Sequence, residues 1–304
     1  MEGNKYLISI VGPTAIGKTE LAIRVAKELD TEILSADSRQ FYKEMAIGTA
    51  KPHPEELSAV KHHFIDSISI TEKFTVGDFE TESLALLQKL FEKKKTVVLV
   101  GGSGLYINAV INGLDDLPKG DPAIRKSLNQ KFEDDGISPL QNQLRELDPD
   151  YFAEVDINNP QRLIRALEVC LTTGQAFSSF RSGIKKNRDF IPVKIGLNTG
   201  RSELYERINS RVDKMIAEGL VEEVESLLPY KNENALQTVG YSEIFEYLGD
   251  KSSLDEAIDR IKQNTRRFAK RQLTWFRKDQ EIQWFEPADF SQISNYIKQR
   301  VSGE

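Results

Sequence analysis

Residues Lys5–Ala22 read KYLISIVGPTAIGKTELA, and the change of period inside this stretch decides the fold. An apolar run, Lys5–Val11, leads into a glycine-rich turn. Beyond the turn, Leu21, Ala22, Val25, Ala26 and Leu29 recur on one face of a helix over Lys18–Leu29. Strand, turn and helix in that order give G-x-x-x-x-G-K-T the context of a phosphate-binding loop; here it is Gly12, Pro13, Thr14, Ala15, Ile16, Gly17, Lys18 and Thr19. The backbone N–H groups of such a loop, backed by a helix N-terminus, cradle a diphosphate. Lys18 adds a point charge, and Thr19 can offer its hydroxyl to Mg2+.

The same alternation continues outward. Thr31–Ala36 (TEILSA) and the segment HHFID, residues 62–66, predict a second and third strand; Phe79–Lys94 is a helix with Leu84, Leu87 and Phe91 apolar, and Thr96–Val100 is a further buried strand. Continuous apolar strands separated by helices imply a parallel sheet covered on both faces. From about Asn112 to Phe190 strands vanish and turn signals appear at DDLPKGDP and DDGISP. Ile191–Asn198 then returns to strand texture. It is followed by a long helix in which Leu204, Ile208, Val212 and Met215 form a buried stripe, and by a late strand, IQWFE. The expected architecture is α/β: a P-loop-type parallel sheet core over 1–112 and 191–304, and a mainly helical insertion domain over 113–190.

Composition narrows the class. The chain has 304 residues, 39% hydrophobic and 29% charged, with a net charge of −6, as expected of a globular protein. The apolar runs are strand-length, too short to cross a bilayer. A glycine and the P-loop arrive before a signal-peptide core could form, so a cytoplasmic protein is expected, with no membrane partner. The single cysteine, Cys170, excludes an internal disulfide and a CxxC zinc site; in RLIRALEVCL it reads as a small buried hydrophobe. The three histidines, His53, His62 and His63, have no Cys or carboxylate spacing that suggests a metal site. Between Asp259 and Lys278 eight Lys/Arg stand against one acid, which points that helix at something negative.

Three strand ends meet at one sheet edge in this reading. Asp37, in SADSRQFY, emerges at the carboxyl end of the second strand, where ligands of open parallel sheets collect. It has three available roles there: helix cap, metal ligand or general base. The strand of TVVLVGGSGLYINAV ends not in the acid of many P-loop NTPases but in Gly101-Gly102-Ser103-Gly104. A diphosphate loop, a carboxylate and a glycine turn in one crevice suit group transfer from a diphosphate donor to an acceptor that loses a proton. They suit a small-molecule kinase equally.

Eight blocks break the tie. GPTAIGKT, ADSRQFY, IGTAKP, GGSGLY, NPQRLIRALEV, LYERINSRVDKM, TVGYSEI and TRRFAKRQLTWFRK occur in the order and spacing of the bacterial tRNA dimethylallyltransferases, which the chain resembles from about Tyr6 to Lys278. The resemblance implies transfer of a dimethylallyl group from dimethylallyl diphosphate to N6 of adenosine 37, 3′-adjacent to the anticodon, with Mg2+ as cofactor and the tRNA anticodon stem-loop and dimethylallyl diphosphate as partners. It implies that Asp37 accepts the N6 proton, that Lys18, Arg211 and Mg2+ at Thr19 stabilise the leaving diphosphate, and that Thr14 donates to the donor oxygen. Asp37, Ser38, Arg39 and Gln40 would hold the flipped adenosine, with Gln40 able to pair with an adenine edge.

Ser103, Arg125 and the stretch Gln161, Arg162, Leu163, Ile164 and Arg165 match further tRNA contacts of that family. In that stretch Asn159 would cap a helix opened by Pro160, with Leu163, Ala166, Leu167, Cys170 and Leu171 buried and Gln161, Arg162 and Arg165 free. Phe268, Trp275 and Phe276 of the basic helix are expected in packing. Ile16 and Ser103 stand where Ser and Thr are more usual in the family. A monomer is expected. The rivals are a prenyltransferase for free AMP or ADP, a P-loop kinase, and an RNA-binding protein with a decayed site.

Overall fold

The computed structural model describes residues 3–302. Among the described residues, one compact unit comprises residues 3–112 and 187–302, and Gly113–Lys186 form the other. In the first, β1 (Tyr6–Val11) leads into α1 (Lys18–Glu28), followed by β2 (Ile33–Ser35), α2 (Pro54–Ala59), β3 (His62–His63), α3 (Val76–Phe91), β4 (Thr96–Gly101) and α4 (Gly104–Asn112). The second holds α5 (Pro122–Asp135), α6 (Ser138–Leu147), α7 (Pro149–Glu154) and α8 (Pro160–Thr173). The chain then continues with β5 (Ile191–Leu197), α9 (Arg201–Ala217), α10 (Leu220–Ser226), α11 (Tyr241–Leu248), α12 (Leu254–Phe276), β6 (Gln283–Phe285) and α13 (Phe290–Ser302).

All sheet pairings are parallel, in the order β3-β2-β4-β1-β5-β6. Side chains alternate across the strands. Ile8, Ile10, Val98 and Ile195 therefore pack against α1, α9 and α13, while Leu7, Val97 and Leu99 pack against α3 and α4. The expected parallel sheet covered by helices on both faces is thus present. Burying each such Ile or Leu contributes about 1.5–3 kcal/mol. A third cluster joins α9 through α12 to Tyr42, Met45 and Ile70, backing the loop that follows β2.

The strand ends sit level. Val11 pairs with Gly101, and Ser35 with Val100. Because β4 lies between β1 and β2, the P-loop and Asp37 flank the glycine turn. Among the described residues no helix is long and apolar enough to cross a membrane.

In the insertion unit, Asp121, Asp148 and Asn159 each cap a helix whose first positions include a proline. Asn159 accepts the Arg162 N–H at 3.2 Å, as its place before Pro160 predicts. The core holds Leu128, Leu140, Leu144, Leu163, Ile164, Ala166, Leu167 and Cys170. Leu171 is a correction: it is 42% exposed, since the buried face turns through Val169 and Cys170 instead.

Candidate active site

A cavity of about 550 Å3 opens at the carboxyl edge of the sheet. Thr14, Ala15, Ile16, Gly17, Lys18 and Thr19 line one side, and Asp37 with Gly101 another. The loop backbone explains its glycines. Gly12 (φ +149°) and Gly17 (φ +99°) occupy conformations that side chains rarely adopt, and a Cβ on Gly12 would lie 2.7 Å from the Leu197 carbonyl. Ala15 is held at φ 63° without that freedom. Local strain of this sort marks a segment held by its surroundings.

The charges around the cavity are unbalanced. Lys18 Nζ donates to the Pro13 carbonyl at 2.7 Å. Burial of its ammonium, and secondly the nearby Arg211 guanidinium, lower its pKa to about 7, against the opposing pull of Asp37. Lys18 is partly exposed and lines the cavity. Arg211, on α9, is likewise pushed down by burial while Asp37 supports its charge; its Nη1 donates to Thr14 Oγ1 at 3.4 Å. Arg207, one turn earlier, is instead paired with Glu203 at 2.8 Å. Two desolvated cations share one carboxylate, an arrangement that an anionic ligand would relieve.

The structure locates the other predicted residues unevenly. Asp37 Oδ1 accepts the Arg39 N–H at 3.1 Å, closing a tight turn after β2. Ser103 Oγ accepts the Ser38 N–H at 3.1 Å and donates to Ser38 Oγ at 3.2 Å, tying this turn to the glycine loop. Gln40 lines the cavity, but its amide is spent: Nε2 donates to the carbonyls of Thr49 and Ala50, and Oε1 accepts from Ser35. It holds the IGTAKP loop rather than presenting a free edge to adenine. In the insertion, Gln161 and Arg162 are exposed, whereas Leu163 and Ile164 are fully buried and have no side-chain surface to offer RNA. Arg125 and Arg165 both bind Glu168.

Phe268, 38% exposed, corrects the expectation of packing; Trp275, though 41% exposed, packs its ring so closely on Gly104 that a Cβ there would lie 2.2 Å from Trp275 Cδ1, and Phe276 is in the core. Phe268 lines the cavity, as does Met215, which is only partly buried. Cys170 is a buried free thiol. His63 Nε2 meets Glu32 at 2.7 Å, and no group of three or more His, Cys, Asp or Glu gathers as a metal site among the described residues.

Two residues of the site escape the motif reading. Gln272, on α12, accepts the Thr14 N–H at 2.9 Å and donates to the Gly102 carbonyl at 3.0 Å. A Cβ on Gly102 would sit 2.3 Å from the Gln272 amide nitrogen, so the glycine turn approaches helix α12 that closely. Glu223, on α10, accepts the N–H groups of Ala46, Ile47 and Gly48 at 2.7–3.0 Å, together with the Tyr241 hydroxyl at 2.6 Å. It fixes the loop whose Ala46, Ile47 and Ala50 form the apolar wall of the cavity. One signal was available for Gln272: it occupies a position in the otherwise apolar stripe Ala257, Ile261, Ala269 and Phe276.

A family model described as IPP transferase matches residues 40–279. A tRNA dimethylallyltransferase of Christiangramia forsetii is 56% identical over 300 residues, covering 98% of this chain and 99% of that protein. Among solved structures, the full-length tRNA isopentenylpyrophosphate transferase of Bacillus halodurans has a TM-score of 0.73 at 38% identity, covering 100% of this chain and 98% of its own. A eukaryotic dimethylallyltransferase solved acting on tRNA has a TM-score of 0.79 at 27% identity, covering 97% of this chain and 77% of that one.

Proposed function

The chain belongs to the IPP transferase family, and from that membership we propose that it transfers a dimethylallyl group from dimethylallyl diphosphate to N6 of adenosine 37, 3′-adjacent to the anticodon of a tRNA. It is a transferase that acts on tRNA. The observation that carries the detailed reading is the meeting of Lys18, Arg211 and Asp37 in one cavity.

The adenine exocyclic amine is a poor nucleophile, because its lone pair is delocalised into the ring. As N6 bonds to C1 of the donor, the C1–O bond to diphosphate breaks and N6 must lose a proton. Asp37 accepts it. The departing diphosphate gathers charge, which Lys18, Arg211 and the N–H groups of the P-loop stabilise from fixed positions. Thr14 Oγ1, held by Arg211, donates to the donor oxygen.

Thr19 offers a hard oxygen on the cavity wall, which fits Mg2+, an ion commonly held by one or two protein oxygens, substrate phosphates and water. When bound, Mg2+ would neutralise part of the diphosphate charge. Ser38, Arg39 and Ser103 contact the tRNA anticodon stem-loop, as do Arg125, Gln161, Arg162 and Arg165. The protein acts as a monomer in this reading, and the cytoplasm is its compartment.

Labelled dimethylallyl diphosphate, Mg2+ and tRNA lacking this modification are incubated with the protein, and the digested nucleosides are weighed. N6-isopentenyladenosine from tRNA, lost with Asp37→Ala, is the expected result. Transfer to AMP in place of tRNA would move the protein to a mononucleotide acceptor. No transfer, with ATP consumed, would make it a kinase.

A further inference from the structure

A buried carboxylate joins two arginines of the insertion. Glu168, on α8, has a side chain only 4% exposed, yet Oε2 receives Arg165 Nη1 from the same helix at 2.8 Å and Arg125 Nη1 from α5 at 3.1 Å. Arg165 Nη2 also donates to the Pro118 carbonyl at 2.9 Å. The segment after Pro118 closes over the carboxylate: a Cβ on Gly120 would lie 2.1 Å from Glu168 Oε1. The two arginine side chains remain 42% and 32% exposed. Two cations from separate helices thus converge on one acid that solvent scarcely reaches, while part of each arginine side chain stays open.

We propose that Glu168 is a positioning residue for RNA binding: it holds Arg125 and Arg165 in one fixed arrangement from which both can grip tRNA phosphates. This rests on the reading of those arginines as tRNA contacts. Long cationic side chains lose rotamer freedom when they grip a phosphate. An acid that orders them beforehand removes that cost from binding, at the expense of one unit of attraction. Pre-organisation and net charge therefore pull in opposite directions, which makes the idea testable by sign.

Glu168→Gln raises the local charge by one. If Glu168 merely neutralised its neighbours, tRNA would bind more tightly. If it positions them, binding weakens by about tenfold, the scale of one lost charge-assisted contact. Glu168→Asp keeps the charge and shortens the reach by one methylene, so its loss would be purely geometric. Each variant is measured as full-length protein, by filter binding of an unmodified tRNA transcript across a salt series, with a melting curve as the check on folding. KM for dimethylallyl diphosphate should stay unchanged.

In a background of Arg125→Ala with Arg165→Ala, Glu168→Gln should have no further effect on binding. Unchanged or tighter binding by folded Glu168→Gln and Glu168→Asp would overturn the proposal. If the arginine substitutions themselves leave tRNA affinity intact, the reading of these arginines as contacts fails instead.

Discussion

Gln272 accepts the backbone N–H of Thr14 at 2.9 Å across 258 residues of chain. The other end of its amide holds the Gly102 carbonyl, so one side chain spaces the phosphate loop from the glycine turn. Gln272→Leu leaves both backbone groups without that partner and should cost about 1–3 kcal/mol of stability. Because it lets the loop shift, kcat/KM for the diphosphate substrate should fall about tenfold or more. Gly102→Ala pushes on the same amide from the opposite side, and the double variant should lose much less than the two losses summed. Thermal melts and initial rates on the three variants check this.

Asp37 has two functions that one substitution cannot separate: it lines the cavity and its Oδ1 holds the Arg39 turn. Asp37→Ala removes both. Asp37→Asn keeps a side-chain acceptor for the turn but not a base. If proton acceptance is its main work, both variants should lower kcat by about 10²–10⁴, while diphosphate binding, measured by calorimetry, survives. Near-normal turnover by Asp37→Asn would leave it an orienting role only.

The pKa of Lys18 near 7 gives binding a pH signature. Above that value the free ammonium increasingly loses its proton, and a bound diphosphate restores it. Affinity should therefore fall with rising pH between about 7.5 and 9, with proton uptake on binding visible as a buffer-dependent heat. Lys18→Arg, always protonated, should flatten the profile. The same shift acts on folding with a definite sign. The unfolded chain holds the extra proton between about 7 and the ordinary value of 10.5, so the contribution of Lys18 to stability improves as pH rises through that window.

Glu223 accepts three successive N–H groups and the Tyr241 hydroxyl. Tyr241 is fully buried and its phenol is pushed up by burial and then by the Glu223 charge, so it stays a donor. Tyr241→Phe deletes one hydrogen bond and should cost about 0.5–1.5 kcal/mol. Glu223→Ala strands the whole row of donors and should cost at least twice as much in denaturant melts. Since Ile47 and Ala50 line the cavity, KM for the prenyl donor should rise with Glu223→Ala.

The strand-turn-helix order, the phosphate loop and the carboxylate after β2 were legible because each is written in a few neighbouring residues: a change of period, two glycines at forced φ, an acid where a strand stops. Boundaries shifted only slightly, as at β2, where the predicted Thr31–Ala36 became Ile33–Ser35. Side-chain duty was less legible. Gln40 is able by its chemistry to pair with an adenine edge, but the loop that doubles back over it supplies two carbonyls that engage its Nε2. Phe268 and Trp275 fit a packing period, yet the helix that carries them leaves both partly open. Gln272 and Glu168 lie inside recurring blocks whose letters do not say what their side chains hold, and Glu223 lies in none.

What the sequence determined by itself was therefore which residues stand at the strand ends, which depends on local order. What only the tertiary structure decided was which polar side chains are spent holding that geometry. A hydrogen bond such as Gln272 to Thr14 joins positions far apart in the chain, and only the packing of α12 against the sheet edge brings them within reach.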